Sequence, residues 1–144
     1  MSENRLRITD VIIDSHDPER LAAFWSALLD RPVGARIGPY VFLERADGPG
    51  VGFQRVATPT PGKNRVHVDV SSPDPAAEIA RIEALGGHRL DAYADSGFLV
   101  MSDPEGNEFC VIPDAGCDLD ADGHAHYLPT APKNPRHASP RVAL

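Results

Sequence analysis

Cysteine is scarce in this chain, which carries only Cys110 and Cys117. A short secreted domain stapled by disulfides usually holds more, at framework-like spacing, so a reducing cytoplasm is the expected location. Aromatic residues make up only 6% of the chain while hydrophobic residues reach 42%, so the core has to be built mainly from Val, Ile, Leu and Ala. Basic residues are outnumbered, with 14 Lys and Arg against 21 Asp and Glu and a net charge of -7. Nucleic-acid backbones are gripped by clustered Lys and Arg that release counterions, and the absence of any such cluster argues against that partner. An acidic surface attracts cations at long range instead. No stretch approaches the roughly 18 to 20 apolar residues of a membrane span, and the polar segment Met1 to Arg7 has no apolar run behind it. Neither a membrane partner nor an export signal is therefore expected, and 144 residues suffice for one domain or two joined halves.

What the chain does have is an internal repeat. Asp10 to Pro18 matches His67 to Pro75 at an offset of 57, as Leu28 matches Leu85, while Asp47, Gly50 and Phe53 match Asp103, Gly106 and Phe109 at an offset of 56. An offset of about half the length indicates duplication rather than a solenoid. Each copy opens with β-branched residues alternating with polar ones, predicting strands over Ile8 to Asp14 and Val66 to Ser71. Asp17-Pro18 and Asp74-Pro75 then carry the same helix-start signal, a capping carboxylate followed by proline at the first helical position. Leu21, Phe24, Trp25, Leu28 and Leu29 recur at helical spacing in the first copy, and Ile79, Ile82 and Leu85 in the second, where Gly86-Gly87 marks the end. Shorter strand-like runs follow at Tyr40 to Leu43, Val51 to Val56, Phe98 to Met101 and Glu108 to Ile112. The boundaries implied are module one at 5–57, a linker at 58–62, module two at 63–113 and an irregular tail at 114–144. Within that tail Asp118 to Gly123 imitates the first half of a calcium loop, but Pro129 stands where an acidic ligand is required. Cys117 with His124 and His126 offers transition-metal donors, a solvated acidic tail or a lid being the blander account.

Strand alternation sorts the side chains. Val66, Val68 and Val70 are expected to face a helix with Val11 and Ile13, leaving His67, Asp69, Ser71, Asp10, Ile12 and Asp14 on the opposite, polar face. Imidazole titrates near neutrality and a neighbouring carboxylate orients it, so His67 with Asp10 or Asp69 is the candidate proton-transfer dyad. The alternative is an Asp69 paired with Lys63, Arg65 or Arg55 for purely structural ends. Trp25 reads as core. Phe42, Phe53, Phe98 and Tyr40, on strands or their ends, are candidate walls of a ligand pocket.

Gly62-Lys63-Asn64-Arg65-Val66-His67-Val68-Asp69 and Asp103-Pro104-Glu105-Gly106-Asn107-Glu108-Phe109-Cys110, with Asp17-Pro18 before an Ala-Ala-Phe-Trp helix, resemble the glyoxalase/bleomycin-resistance/extradiol-dioxygenase superfamily and its glyoxalase-like group. The resemblance covers about Arg7 to Pro113. It implies an α+β fold in which tandem βαβββ modules form an incomplete barrel, the vicinal-oxygen-chelate fold, with a small-molecule site in its concavity and a homodimeric assembly. It also implies metal-ligand positions on the first and last strand of each copy, which fall here on Asp10, Gln54, His67 and Cys110. Oxygen donors suit a hard cation and a thiol does not, so no cofactor and no tightly bound metal are expected. Were a divalent metal held, Asp10, His67 and Gln54 would be its ligands. Gln54, Phe53, Phe42, Phe98 and Cys110 become substrate-contact candidates, with Cys110 as a buried core thiol in the competing account. Two functions stand: a lyase- or isomerase-type acid–base enzyme using His67, Asp10 and Asp69, or a non-catalytic protein that sequesters a cationic antibiotic as bleomycin-resistance relatives do.

Overall fold

Alternation of apolar and polar residues favours a strand in which every second side chain is covered, and the Asp-Pro pair that follows it in each copy stops the strand and starts a helix. The structure, a computed structural model, describes residues 6–91, 99–114 and 117–127. In chain order it contains β1 (Asp10–Ser15), α1 (Pro18–Leu29), β2 (Val33–Ile37), β3 (Tyr40–Leu43) and β4 (Gly50–Arg55). The second copy continues with β5 (Val68–Ser72), α2 (Pro75–Ala84), β6 (His88–Arg89), β7 (Leu99–Ser102) and β8 (Glu108–Pro113), followed by β9 (Cys117–Leu119) and β10 (Ala125–Tyr127). The sheets have the same order, β1-β4-β3-β2 in one and β5-β8-β7-β6 in the other. In both, the first and last strands of the copy pair in parallel and the remaining neighbours are antiparallel. The chain divides into two compact units. The first runs up to Asn64 and takes in Asp103–Gly106, and the second comprises the remainder from Arg65.

Both helices start as expected. Asp17 accepts a hydrogen bond from the Arg20 amide at 3.3 Å, and Asp74 accepts one from the Ala77 amide at 3.3 Å. In the first unit α1 buries Leu21, Ala22, Phe24 and Trp25 against Val41, Leu43 and Phe53 of the sheet. Each such large side chain removed from water contributes about 1.5–3 kcal/mol. Arg36 on β2 grips Glu19 in the first turn of α1 with two bonds of 2.6 and 3.0 Å, and this hydrogen bonding holds the Glu19 carboxyl below its ordinary range. In the second unit Ile82, Met101, Phe109 and Val111 form the corresponding layer.

The turn Asp103–Gly106 carries the least expected feature of the first unit. Asp103 is wholly buried, and its carboxylate accepts the Trp25 indole N–H at 3.0 Å and the Glu105 amide at 3.0 Å. A buried carboxylate is tolerated only when hydrogen-bonded, and here the donors come from the core helix and from its own turn. The Glu105 carboxylate accepts from the Ser15 hydroxyl and from the His16 amide (2.7 Å), at the junction between β1 and α1.

Several expectations need correction. β1 and β5 begin two residues later than expected, leaving Ile8 and Val66 outside the strands and 77% exposed, so Val66 does not face a helix. β2 was not foreseen: Val33, Ala35 and Ile37 do alternate with Gly34 and Arg36, but over only five residues, of which only Val33 is even partly covered. β6 has two residues, too few to show a period. The tail is not irregular throughout: β9 and β10 form an antiparallel hairpin with Cys117 opposite Tyr127. Phe98 and residues 128–144 lie outside the described residues.

Replacing Trp25 by Phe keeps the ring in the core but withdraws a donor from the buried Asp103 carboxylate. Denaturant unfolding of Trp25→Phe is expected to show a loss of about 1–3 kcal/mol, and a change below about 0.5 kcal/mol would show that the indole–carboxylate bond is dispensable.

Candidate functional site

One face of each sheet is covered by its helix, and the other presents the polar residues of alternating strand positions. In the first unit parallel register sets Asp10 beside Gly50, Ile12 beside Gly52 and Asp14 beside Gln54, with Phe42 and Tyr40 next to Gly52 and Gln54 on β3. The two aromatic rings stack, with centroids 5.8 Å apart and planes 19° from parallel. Glycine on β4 gives neighbouring side chains room on this face. A Cβ at Gly52 would come within 2.6 Å of the Phe42 ring, and one at Gly50 would overlap Asp10 Oδ1 and lie 3.1 Å from Arg45 Nη1. The space above Gly50 is thus taken by an ion pair: Arg45 donates to Asp10 Oδ1 at 2.9 Å and to the Thr9 carbonyl at 3.0 Å. Beside it lies a hollow of about 450 Å³ lined by Asp10, Gly34, Ala35, Ile37, Phe42, Leu43, Glu44 and Arg45.

In the second unit β5 and β8 place Asp69 beside Cys110. His67, just before β5, turns its Nε2 to Asp69 Oδ1 at 3.3 Å. Donor atoms of His67, Asp69 and Cys110 all lie within 4.8 Å of one another. Asp69 therefore meets His67, the dyad partner expected of it. Cys110 is half-buried on the open face, which corrects its reading as a core thiol.

The chain matches the model of the glyoxalase-like domain over residues 10–112. It belongs to the glyoxalase-like domain family. No curated protein sequence matches it. Among solved structures, a glyoxalase-related enzyme of Fulvimarina pelagi shares 15% identity over 83% of this chain and 96% of its own, with a TM-score of 0.60. A glyoxalase/bleomycin resistance protein/dioxygenase family enzyme of Burkholderia phytofirmans shares 19% identity over 73% and 96%, with a TM-score of 0.61. A glyoxalase/bleomycin resistance protein/dioxygenase of Nocardioides shares 19% over 80% and 89%, with a TM-score of 0.55. At such identities the likeness concerns the fold, which is the tandem βαβββ arrangement of the vicinal-oxygen-chelate proteins. No helix among the described residues is long and apolar enough to cross a membrane.

The family's four metal-ligand positions do not fit a divalent ion in this chain. Asp10 already faces the Arg45 guanidinium, whose charge opposes a second cation, and Gln54 is neutral. Among the described residues His67, Asp69 and Cys110 bring together nitrogen, oxygen and sulfur donors that suit a zinc-like ion. An ion held there would act as a Lewis acid toward a carbonyl. Phe53 is fully buried on the helix side, opposite Ile13 and Val41 in register, and so is removed from the list of ligand contacts. Phe42 does line the hollow, and Gln54 lies farther along the same face. Nor are Gln54 and Cys110 counterparts. Taking Ser15 and Ser72 as equivalent, strand pairing matches Cys110 to Gly52 and Ile112 to Gln54, a two-residue displacement from the sequence match that leaves the faces unchanged. Arg45 and Glu44 escaped the sequence reading because they follow β3, where alternation ends. The signal available was a glycine, Gly50, at the point where an acidic strand residue needed room for a partner.

Gly50→Ala is expected to dislodge the Asp10–Arg45 pair and destabilise the fold by about 1–3 kcal/mol. In an Asp10→Ala background the same change should cost clearly less, as a double-mutant cycle by chemical denaturation will show, and equal costs in both backgrounds would refute the steric assignment.

Proposed function

We propose that this glyoxalase-like chain is a small-molecule binding protein whose hollow in the first unit takes an organic ligand bearing a cationic group. The observation that carries this reading is the lining of that hollow. Its volume of about 450 Å³ falls within the range of small-molecule pockets, roughly 300–1,000 Å³. Of its two carboxylates, Asp10 is paired with Arg45, whereas among the described residues the Glu44 side chain has no hydrogen-bonded or ionic partner and is left to meet a cation. The stacked rings of Phe42 and Tyr40 add a surface on which a cation is attracted by the aromatic quadrupole. The net charge of -7 adds long-range attraction. A cationic antibiotic of the bleomycin type belongs to this ligand class.

The test is a panel of size-matched organic amines and carboxylates, bleomycin among them, read by thermal shift and then calorimetric titration. Amines should bind saturably, weaken as salt rises from about 0.01 to 1 M, and lose several-fold in affinity in Glu44→Gln. Carboxylates binding as tightly as their amine analogues, or no saturable ligand at all, would overturn the reading.

A second reading rests on a separate observation, the 3.3 Å approach of His67 Nε2 to Asp69 Oδ1 with Cys110 beside them. A carboxylate that orients an imidazole equips it to take a proton from carbon next to a carbonyl and return it, as a lyase or isomerase requires. In D₂O such an enzyme exchanges the α-hydrogen of a bound carbonyl compound. NMR of carbonyl compounds incubated with the protein should show deuterium entering the wild-type sample and not His67→Ala, and exchange that survives His67→Ala would sink the acid–base role.

A further inference from the structure

We propose that the tip of the β9–β10 hairpin is a binding site for a divalent transition-metal ion of the zinc type, with Asp120, His124 and His126 as its protein ligands. The inference is independent of the ligand hollow and of the donors in β5 and β8, and it begins with the backbone. The hairpin pairs Ala125 with Leu119 and His126 with Asp118, and its turn is closed by bonds from the Asp120 amide to the His124 carbonyl (2.9 Å) and from the Gly123 amide to the Asp120 carbonyl (3.0 Å). One oxygen of Asp120, Oδ1, accepts the amides of Asp122 (3.0 Å) and His124 (2.9 Å). The carboxylate is thereby fixed in orientation. Its other oxygen, Oδ2, is left to face two imidazoles, His126 Nε2 at 3.1 Å and His124 Nδ1 at 3.5 Å.

The two carboxylate–imidazole separations each suit a common ion. Ligand bonds of about 2.0–2.2 Å in a tetrahedral zinc site place neighbouring donor atoms about 3.3 Å apart. The Asp122 carboxylate lies in the same group, its donor within 4.8 Å of those of Asp120 and His124, and can supply a fourth ligand. Two imidazoles with one carboxylate select a borderline transition metal over calcium or magnesium, which demand oxygen. The pattern Asp118-x-Asp120-x-Asp122 therefore does not act as a calcium loop; Asp118, on β9, is not in the group of donors. On binding, each neutral ring keeps its proton on the nitrogen that faces away from Asp120, and the ion takes the lone pair that remains.

The experiment is calorimetric titration with ZnCl₂ of the full chain carrying His67→Ala and Cys110→Ser, which removes two of the three donors grouped around Asp69. This chain should bind one zinc ion. Adding His124→Ala or His126→Ala, both at exposed positions of the hairpin, should weaken binding at least about tenfold. Excess CaCl₂ should not displace the ion. Absence of saturable binding, binding unaffected by either histidine substitution, or displacement by calcium would each overturn the assignment.

Discussion

Parallel pairing between the first and last strands of each βαβββ copy is the constraint on which the rest of this molecule depends. Because partners in a ladder share a face, the register that sets Ile13 beside Phe53, and Val70 beside Val111, commits those side chains to the layer beneath the helix. The same register leaves Asp10 beside Gly50 and Asp69 beside Cys110 on the opposite face. Core and site are thus not separate designs. A slip of one residue on β4 would bring Phe53 to the open face and bury Gln54, losing both at once.

Duplication supplied two copies of this arrangement, and the copies then diverged where burial is strictest. Ser15 and Ser72 keep one role, each hydroxyl accepting the amide two residues on, at 3.0 and 3.1 Å. In the first unit that hydroxyl also donates to Glu105, and in the second it donates to Glu78, at 3.4 Å. The position of Trp25 is held by Ile82 in the second copy, and both are buried. An indole needs an acceptor for its N–H and an isoleucine does not, so the buried carboxylate of Asp103 is a consequence of which side chain fills that single place in the helix. Asp47, its counterpart by sequence, lies exposed.

Much of this was legible from the residues alone because it is written in local chemistry. Asp-Pro pairs announced both helices, alternation assigned His67 and Asp69 to one face and Val68 and Val70 to the other, and the repeat revealed that there are two copies. What could not be read depends on partners distant in sequence or on exposure. β2 has no covered face to mark it, Arg45 reaches Asp10 from the far side of β3, and the hairpin is held by the carboxylate of Asp120 rather than by an apolar period. The two-residue displacement between sequence match and strand pairing is a subtler case. Phe53 and Phe109 attract one another in an alignment, but each is placed by the strand it pairs with, and an even displacement preserves the face while changing every neighbour.

That displacement matters for the chemistry. Equivalent places in the two sheets, judged by pairing, hold Asp10 and His67, Ile12 and Asp69, Gly52 and Cys110. In the first unit the glycine yields its space to the Phe42 ring and a guanidinium pairs with the acidic residue. In the second, a thiol and a carboxylate fill the same places and converge with an imidazole. A fixed cation on a tethered side chain and an exchangeable ion bound by three donors would each satisfy the electrostatic demand of an acidic face, but only the second would leave a coordination position open to a ligand. Membership of the family consequently fixes the scaffold and not the chemistry of either face: at equivalent places one sheet carries an ion pair built from its own side chains, and the other a group of three donors.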